Sequence, residues 1–230
     1  MGYKAAIFDM DGVIIDSEPM QREITFRLAE KLGFTMTNRE YDALIGRNTL
    51  DTFILMKEWH GFEAPIDGLP AVYEDMYMER LREGFSDKLI PGAGTLIKSL
   101  NAAGISLAVA SSAAMKFIRL ILSEFKLLPY FQAIVSGDKL ENPKPAPDIF
   151  IEAAKQLGIP PACCVVIEDS ENGVAAAKAA GMYCVGFRNP ASGAQDLSRA
   201  DIVLDSFNDI ASNSRLFLND FSSGVNGNLS

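Results

Sequence analysis

Asp9 and Asp11 stand one residue apart, directly after the apolar run Ala5-Ala6-Ile7-Phe8 and directly before Gly12. An unbroken run of that kind suits a strand buried on both faces of a parallel sheet. Side chains at i and i+2 of an extended chain point the same way, so both carboxylates face one crevice. Open α/β sheets bind ligands at the carboxyl ends of their strands, where this pair falls. Gly12 lets the chain turn away. An Asx-type turn uses the same residues, so the pair takes its meaning from what else reaches that edge.

Three further groups follow apolar runs. Ser111-Ser112 comes after Ile105–Ala110, and Glu168-Asp169-Ser170 after Cys163–Ile167. Between them Lys144 is held by Pro143 and Pro145, after the short run Ala133–Val135. Singly, each has an ordinary reading: Ser111 as a helix cap, Lys144 as a solvated turn residue, Glu168-Asp169 as an acidic pair opening a helix. In a parallel sheet all strands share one carboxyl edge, so the groups are expected to converge. Carboxylates, one ammonium and a hydroxyl at a helix N-terminus are parts for phosphoryl transfer through magnesium. Asp9 and a phosphate monoester are both anionic at neutral pH. Their approach to about 4 Å costs several kcal/mol even at an effective dielectric near 20. Attack by Asp9 on phosphorus therefore needs positive charge, from a magnesium ion held by Asp9, Asp169 and a carbonyl near Asp11, and from Lys144. The N–H groups after Ser111 would hold phosphate oxygens. Asp11 is expected to protonate the leaving oxygen and then take a proton from the hydrolytic water, with a carboxyl less acidic than that of Asp9.

The elements that must position these groups alternate. After Gly12, Met20, Ile24, Leu28 and Leu32 recur every four residues up to Gly33. Thr37 to Glu40 has the form of a capping box, and Leu50, Phe53 and Ile54 fall on one face of a further helix. Val72 and Met76 mark another, ending near Arg82. From Asp16 to Asp87 only helices are expected; strands and helices then alternate, with further strands at Tyr183–Phe187 and Ile202–Leu204. The predicted fold is α/β. A Rossmann-like parallel-sheet core occupies 1–15 and 88–214, an all-helical cap 16–87, and a loose Ser-, Asn- and Gly-rich tail 215–230.

Composition removes several classes. A net charge of −9 argues against nucleic acid or an anionic membrane as partner. No apolar run reaches the roughly 20 residues of a membrane span, and no leader pattern opens the sequence, so a cytoplasmic location is expected. Cys163, Cys164 and Cys184 lack metal spacing and read as buried strand thiols. A single histidine, His60, leaves no material for a histidine triad or a His-rich metal site.

Asp9-Met-Asp-Gly-Val13, Ser111, Lys144-Pro-Ala-Pro-Asp148 and Glu168-Asp-Ser170 resemble the four motifs of the haloacid dehalogenase superfamily. With its helical cap the chain is similar to the β-phosphoglucomutase-like phosphatases within it. The resemblance implies Asp9 as nucleophile, Asp11 as acid/base, Ser111, Ser112 and Lys144 as phosphate contacts, and Asp9, Asp11 and Asp169 around Mg2+ with Glu168 as a further metal group. It also implies a cap that closes over a small phosphorylated metabolite, with Gly46, Arg47 and Asn48 as candidate substrate contacts. A monomer is expected. Asp11 favours phosphate esters over carbon–halogen or phosphonate substrates. Gly46-Arg47-Asn48-Thr49 departs from the Gly-x-Ser-Arg cap motif of true β-phosphoglucomutases, and Gln21 stands where those carry a histidine. Both departures favour a phosphatase, with a sugar-phosphate mutase as the alternative. A non-catalytic phosphoacceptor of the receiver type is a third reading, but receivers are shorter and capless.

Overall fold

The computed structural model describes residues 3–45, 47, 49–85 and 88–208. Gly46, Asn48, the expected boundary at Asp87, residues 209–214 and the tail 215–230 lie outside the described residues.

Six parallel strands form the sheet: β1 (Ala5–Phe8), β2 (Ser106–Ser111), β3 (Ala133–Ser136), β4 (Cys164–Glu168), β5 (Tyr183–Phe187) and β6 (Ile202–Leu204), in the order β3-β2-β1-β4-β5-β6. β1 is central. Ala5 is in register with Ser106 on one side and Cys164 on the other, and Phe8 with Val109 and Ile167. The strand order reverses across β1, and that reversal is where open sheets of this order leave a crevice at their carboxyl edge.

Alternation along the strands divides the core. Phe8, Val109, Ile167 and Val185 point to one face, covered by α5 (Ala93–Ala102) and α6 (Met115–Glu124) through Ile97, Leu100, Ile118 and Ile121. Ile7, Ala108 and Val166 point to the other, covered by α7 (Asp148–Leu157) and α8 (Glu171–Ala179) through Ile149, Phe150, Val174 and Ala177. All four residues of β1 are fully buried, so the strand reads as a continuous apolar run.

Among the described residues four α-helices lie between β1 and α5 in the chain: α1 (Glu18–Lys31), α2 (Asn38–Asp42), α3 (Thr49–His60) and α4 (Leu69–Arg82). The capping box forms: Glu40 N–H donates to Thr37 Oγ1, and Glu40 Oε2 accepts from Thr37 N–H at 2.7 Å. The chain leaves and returns through paired linkers. Ile15 bridges Leu89 antiparallel, and Asp16 N–H donates to Lys88 O at 2.7 Å. Tyr77 of α4 meets Phe117 of α6 edge-on at 4.9 Å, and Lys116 pairs with Glu74, so this helical layer packs on the sheet domain over the carboxyl edge.

Several expectations shift. Leu50 and Ile54 are exposed, and Phe53 and Met56 carry the buried face of α3, because α3 packs on α4 through that side. Val72 is likewise exposed while Met76 and Leu81 are buried. Cys163 is a half-buried turn residue preceding β4, not part of the strand. No described helix is long and apolar enough to cross a membrane.

Candidate active site

Four strand ends and one loop meet at the carboxyl edge. Asp9 is the first residue past β1 and is buried; its N–H donates to Ile167 O of β4 at 3.0 Å, which continues the ladder and aims the side chain into the crevice. Lys144 enters from the loop before α7. Its ammonium donates to Asp9 Oδ1 at 2.6 Å, to Glu168 Oε1 at 2.7 Å and to Ala110 O at 3.4 Å, and sits 5.0 Å from the Phe150 ring centroid. The two flanking prolines restrict the loop that delivers it. Glu168 is fixed from its other side, where Oε2 accepts from Ser170 N–H at 2.8 Å and Ser170 Oγ at 2.9 Å.

Asp11 is gripped separately. Ser17 Oγ donates to its Oδ1 at 2.6 Å, Gln21 Nε2 to the same oxygen at 3.1 Å, and Ser111 Oγ to Oδ2 at 3.4 Å. The ordinary cap reading of Ser111 does not hold. Ser111 is the last residue of β2, and α6 begins at Met115 with Ala114 as its uncapped N-cap residue. The serine hydroxyl instead accepts from Ala113 N–H at 3.1 Å and faces Asp11, because the chain needs three more residues to turn into the helix. Ser112 is exposed. Asp169 is buried, and its Oδ2 accepts from Ser192 Oγ. Gly12, with φ +75°, lies so close that an added Cβ would fall 1.9 Å from Asp169 Oδ2. No side chain but glycine's fits there.

Burial dominates the electrostatics. It pushes the Asp9 carboxyl up to about 7, because desolvation, aided by Glu168 and Asp11, outweighs the lowering by Lys144. Burial also raises Asp11, opposed chiefly by Ser17 and Ser111. Asp169 rises well above the carboxylate range through burial and the charges of Glu168 and Asp9. For Lys144, burial alone would favour the neutral amine, but Asp9 and Glu168 more than offset it and the ammonium is held charged. Four acidic side chains thus share one cation, a site short of positive charge.

Asp9, Lys144 and Glu168 are joined directly, as are Asp11 and Ser111. The candidate contact Arg47 is exposed, with its Nε donating back to Ala43 O at 2.9 Å. Sequence reasoning passed over Ser17, Asn189 and Ser192, and treated Gln21 only as a missing histidine. Asn189 Nδ2 donates to Gly12 O at 3.1 Å and so holds the turn after β1. Asn189 stands two residues past β5, so the strand-end rule would have found it had it been carried to the fifth strand; Ser192, five residues past, lies beyond that rule's reach.

A buried and a half-buried carboxylate at the switch point of a 3-2-1-4-5-6 sheet, a lysine bridging two strand ends and a helical layer over the edge define a haloacid dehalogenase-type hydrolase core. Residues 6–187 match the haloacid dehalogenase-like hydrolases as a family, and the chain belongs to that family. It is 37% identical over 216 residues to the chloroplastic protein SUPPRESSOR OF QUENCHING 1 of Arabidopsis thaliana; that match takes in 90% of this chain and only 20% of the far longer plant protein. It is 30% identical over 215 residues to hexitol phosphatase B of Escherichia coli K12, covering 90% of this chain and 93% of that one. Among solved structures it is similar to β-phosphoglucomutase from Clostridium difficile, with a TM-score of 0.82 and 26% identity over 94% of this chain and 97% of the other.

Proposed function

We propose that the chain is a magnesium-dependent phosphatase acting on a small phosphorylated metabolite of the sugar-phosphate class through an aspartyl-phosphate. The observation that carries the reading is the buried Asp9–Lys144 pair at 2.6 Å beside Asp11, which carries its own separate set of donors. One carboxylate is thus placed against a cation while the other is held by hydroxyl and amide groups, a division suited to a nucleophile and an acid/base.

In the proposed reaction Asp9 attacks phosphorus and the ester P–O bond breaks, while Asp11 gives its proton to the leaving oxygen. Water then attacks the aspartyl-phosphate, Asp11 takes a proton from it, and inorganic phosphate leaves with Asp9 regenerated. Lys144 holds the nucleophile and, with Ser111 and Ser112, is assigned to the phosphate oxygens. Ser17 and Gln21 keep Asp11 aimed while it cycles.

The residues fit a magnesium site in kind: Asp9, Asp169 and the region of Asp11, backed by Glu168, offer hard oxygen donors in a pocket short of positive charge. As placed, no three such side chains among the described residues are gathered around one point. Magnesium, when bound, adds the positive charge that lets two anions approach. The names of hexitol phosphatase B and β-phosphoglucomutase support phosphorylated carbohydrate as the substrate class.

The test is phosphate release from an aryl phosphate and a sugar-phosphate panel with and without magnesium, for wild type and Asp9→Asn, with isomer formation assayed alongside. Magnesium-dependent release that Asp9→Asn lowers by at least a thousandfold is expected. Release that survives Asp9→Asn sinks the nucleophile assignment, and isomerisation of a sugar phosphate without release makes the chain a mutase.

A further inference from the structure

The segment between β5 and β6 takes no part in the reaction proposed above, yet it fastens two other strand-end turns. Asn189 Nδ2 donates to Gly12 O at 3.1 Å, on the turn next to Asp11, while its Oδ1 accepts from Ala191 N–H at 2.9 Å and fixes the amide. Three residues on, Ser192 Oγ donates to Asp169 Oδ2. Gln195 Oε1 then accepts from Glu171 N–H at 3.1 Å, at the start of α8. One short segment thus holds the turn after β1 and grips the turn after β4 on either side of Ser170.

The gripped parts also close on one another. Asn189, Ser192 and Asp169 are buried. The Cβ position that Gly12 lacks lies against Asp169 Oδ2 and 2.9 Å from Ser192 Oγ. Asp169 Oδ2 therefore sits in a slot with the Gly12 turn on one side and the Ser192 hydroxyl on another. The last torsion of an aspartate is broad and roughly two-fold when nothing restrains it. Seating one oxygen in a slot removes that freedom and gives the other oxygen a fixed direction. The slot itself depends on Asn189, because Asn189 holds the carbonyl of the glycine that forms its wall.

We propose that Asn189 and Ser192 are positioning residues that act as one clasp. Asn189 sets the Gly12 turn, Ser192 holds Asp169 Oδ2 against it, and Asp169 Oδ1 is thereby aimed to receive a magnesium ion before the ion arrives. The proposal rests on the magnesium site of the phosphatase reading. Groups that orient a metal-binding carboxylate set affinity without touching the metal, because the ion does not have to order its own ligand.

Magnesium alone, titrated calorimetrically into metal-free protein, tests the clasp, with aryl phosphate turnover at rising magnesium as a second readout. Ser192→Ala is expected to weaken magnesium binding by about 10–100-fold, and Asn189→Ala by about fivefold or more. Since both serve one clasp, the double variant should bind no more than about twofold weaker than Ser192→Ala; independent contributions would multiply. Turnover by Ser192→Ala should recover to within about threefold of wild type once magnesium saturates, which a damaged fold would not allow. Wild-type affinity in Ser192→Ala, losses that multiply in the double variant, or a defect that excess magnesium leaves in place overturns the clasp. A wild type that neither takes up magnesium nor releases phosphate from the aryl ester overturns the magnesium-dependent reading, and the clasp with it.

Discussion

Replacing Lys144 by Met keeps the bulk of the side chain and removes the ammonium. Two bonds of 2.6 and 2.7 Å end to end put Asp9 Oδ1 and Glu168 Oε1 within about 5.3 Å of each other. Two unit charges at that separation repel by about 3 kcal/mol at an effective dielectric near 20. Breaking a buried ion pair from one side costs 3–5 kcal/mol in other proteins, in agreement. At about 2–4 °C per kcal/mol for a chain of this size, Lys144→Met should lower the melting temperature by about 6–12 °C at pH 8. The loss must depend on pH. Carboxyls whose folded pKa is raised contribute stability that is present below their unfolded pKa and lost as pH rises through the folded one. Asp9 is already raised to about 7 beside Lys144, and removing the cation raises it further. At pH 5 it is therefore protonated in the variant, the repulsion vanishes, and only the lost hydrogen bonds remain. Differential scanning calorimetry on metal-free protein at pH 5 and 8 measures both values. An equal loss at the two pH values, or less than about 2 °C at pH 8, would refute the view that Lys144 holds two ionised carboxylates apart.

Gly12→Ala should cost about 1–2 kcal/mol for the left-handed backbone alone and displace Asp169 from Ser192, so magnesium affinity measured by calorimetry falls together with the melting temperature. Wild-type magnesium affinity in a well-folded Gly12→Ala protein would rule out that packing. Ser17→Ala removes a 2.6 Å donor from Asp11, so its carboxyl becomes less acidic and the acid limb of the kcat profile moves to higher pH; an unmoved limb would mean that Asp11 is aimed without Ser17. Glu18→Gln should leave thermal stability unchanged below pH 4.5 and raise it by up to about 3 kcal/mol above pH 7. Wild-type Glu18 is raised from 4.5 to about 7, so its contribution is fully present below the lower value and lost through the upper one. A variant less stable than wild type at pH 8 would contradict this.

The strands were legible because a buried parallel strand is a short apolar run, and whatever polar residue follows it must lie at the carboxyl edge. That rule brought Asp9 to Lys144, 135 residues away, and Lys144 to Glu168, 24 residues further on. It also placed Ser111 there, where the sheet extends through it and its hydroxyl turns to Asp11 instead of capping α6. Helix faces were less legible, because a local pattern competes with tertiary packing. Leu50, Phe53 and Ile54 read as one helical stripe, yet of the three only Phe53 turns inward, together with Met56, because α4 packs on that side. Ser192 carried no signal in its own neighbourhood, since its partner Asp169 is brought to it by the pairing of β4 with β5.

The central position of β1 has a consequence for synthesis. The strand that leads into Asp9 is made before both of its neighbours, one of which begins at Ser106 and the other at Cys164. At translation rates of about 5–20 residues per second, the second edge of β1 stays unpaired for roughly 8–30 s after the strand is made. For that interval an apolar ribbon with open hydrogen-bonding groups is exposed to other nascent chains, unless a chaperone or the ribosome itself shields it. The residues between the two strands include the four helices, whose local contacts form quickly. They offer the waiting strand an apolar surface long before the sheet can close.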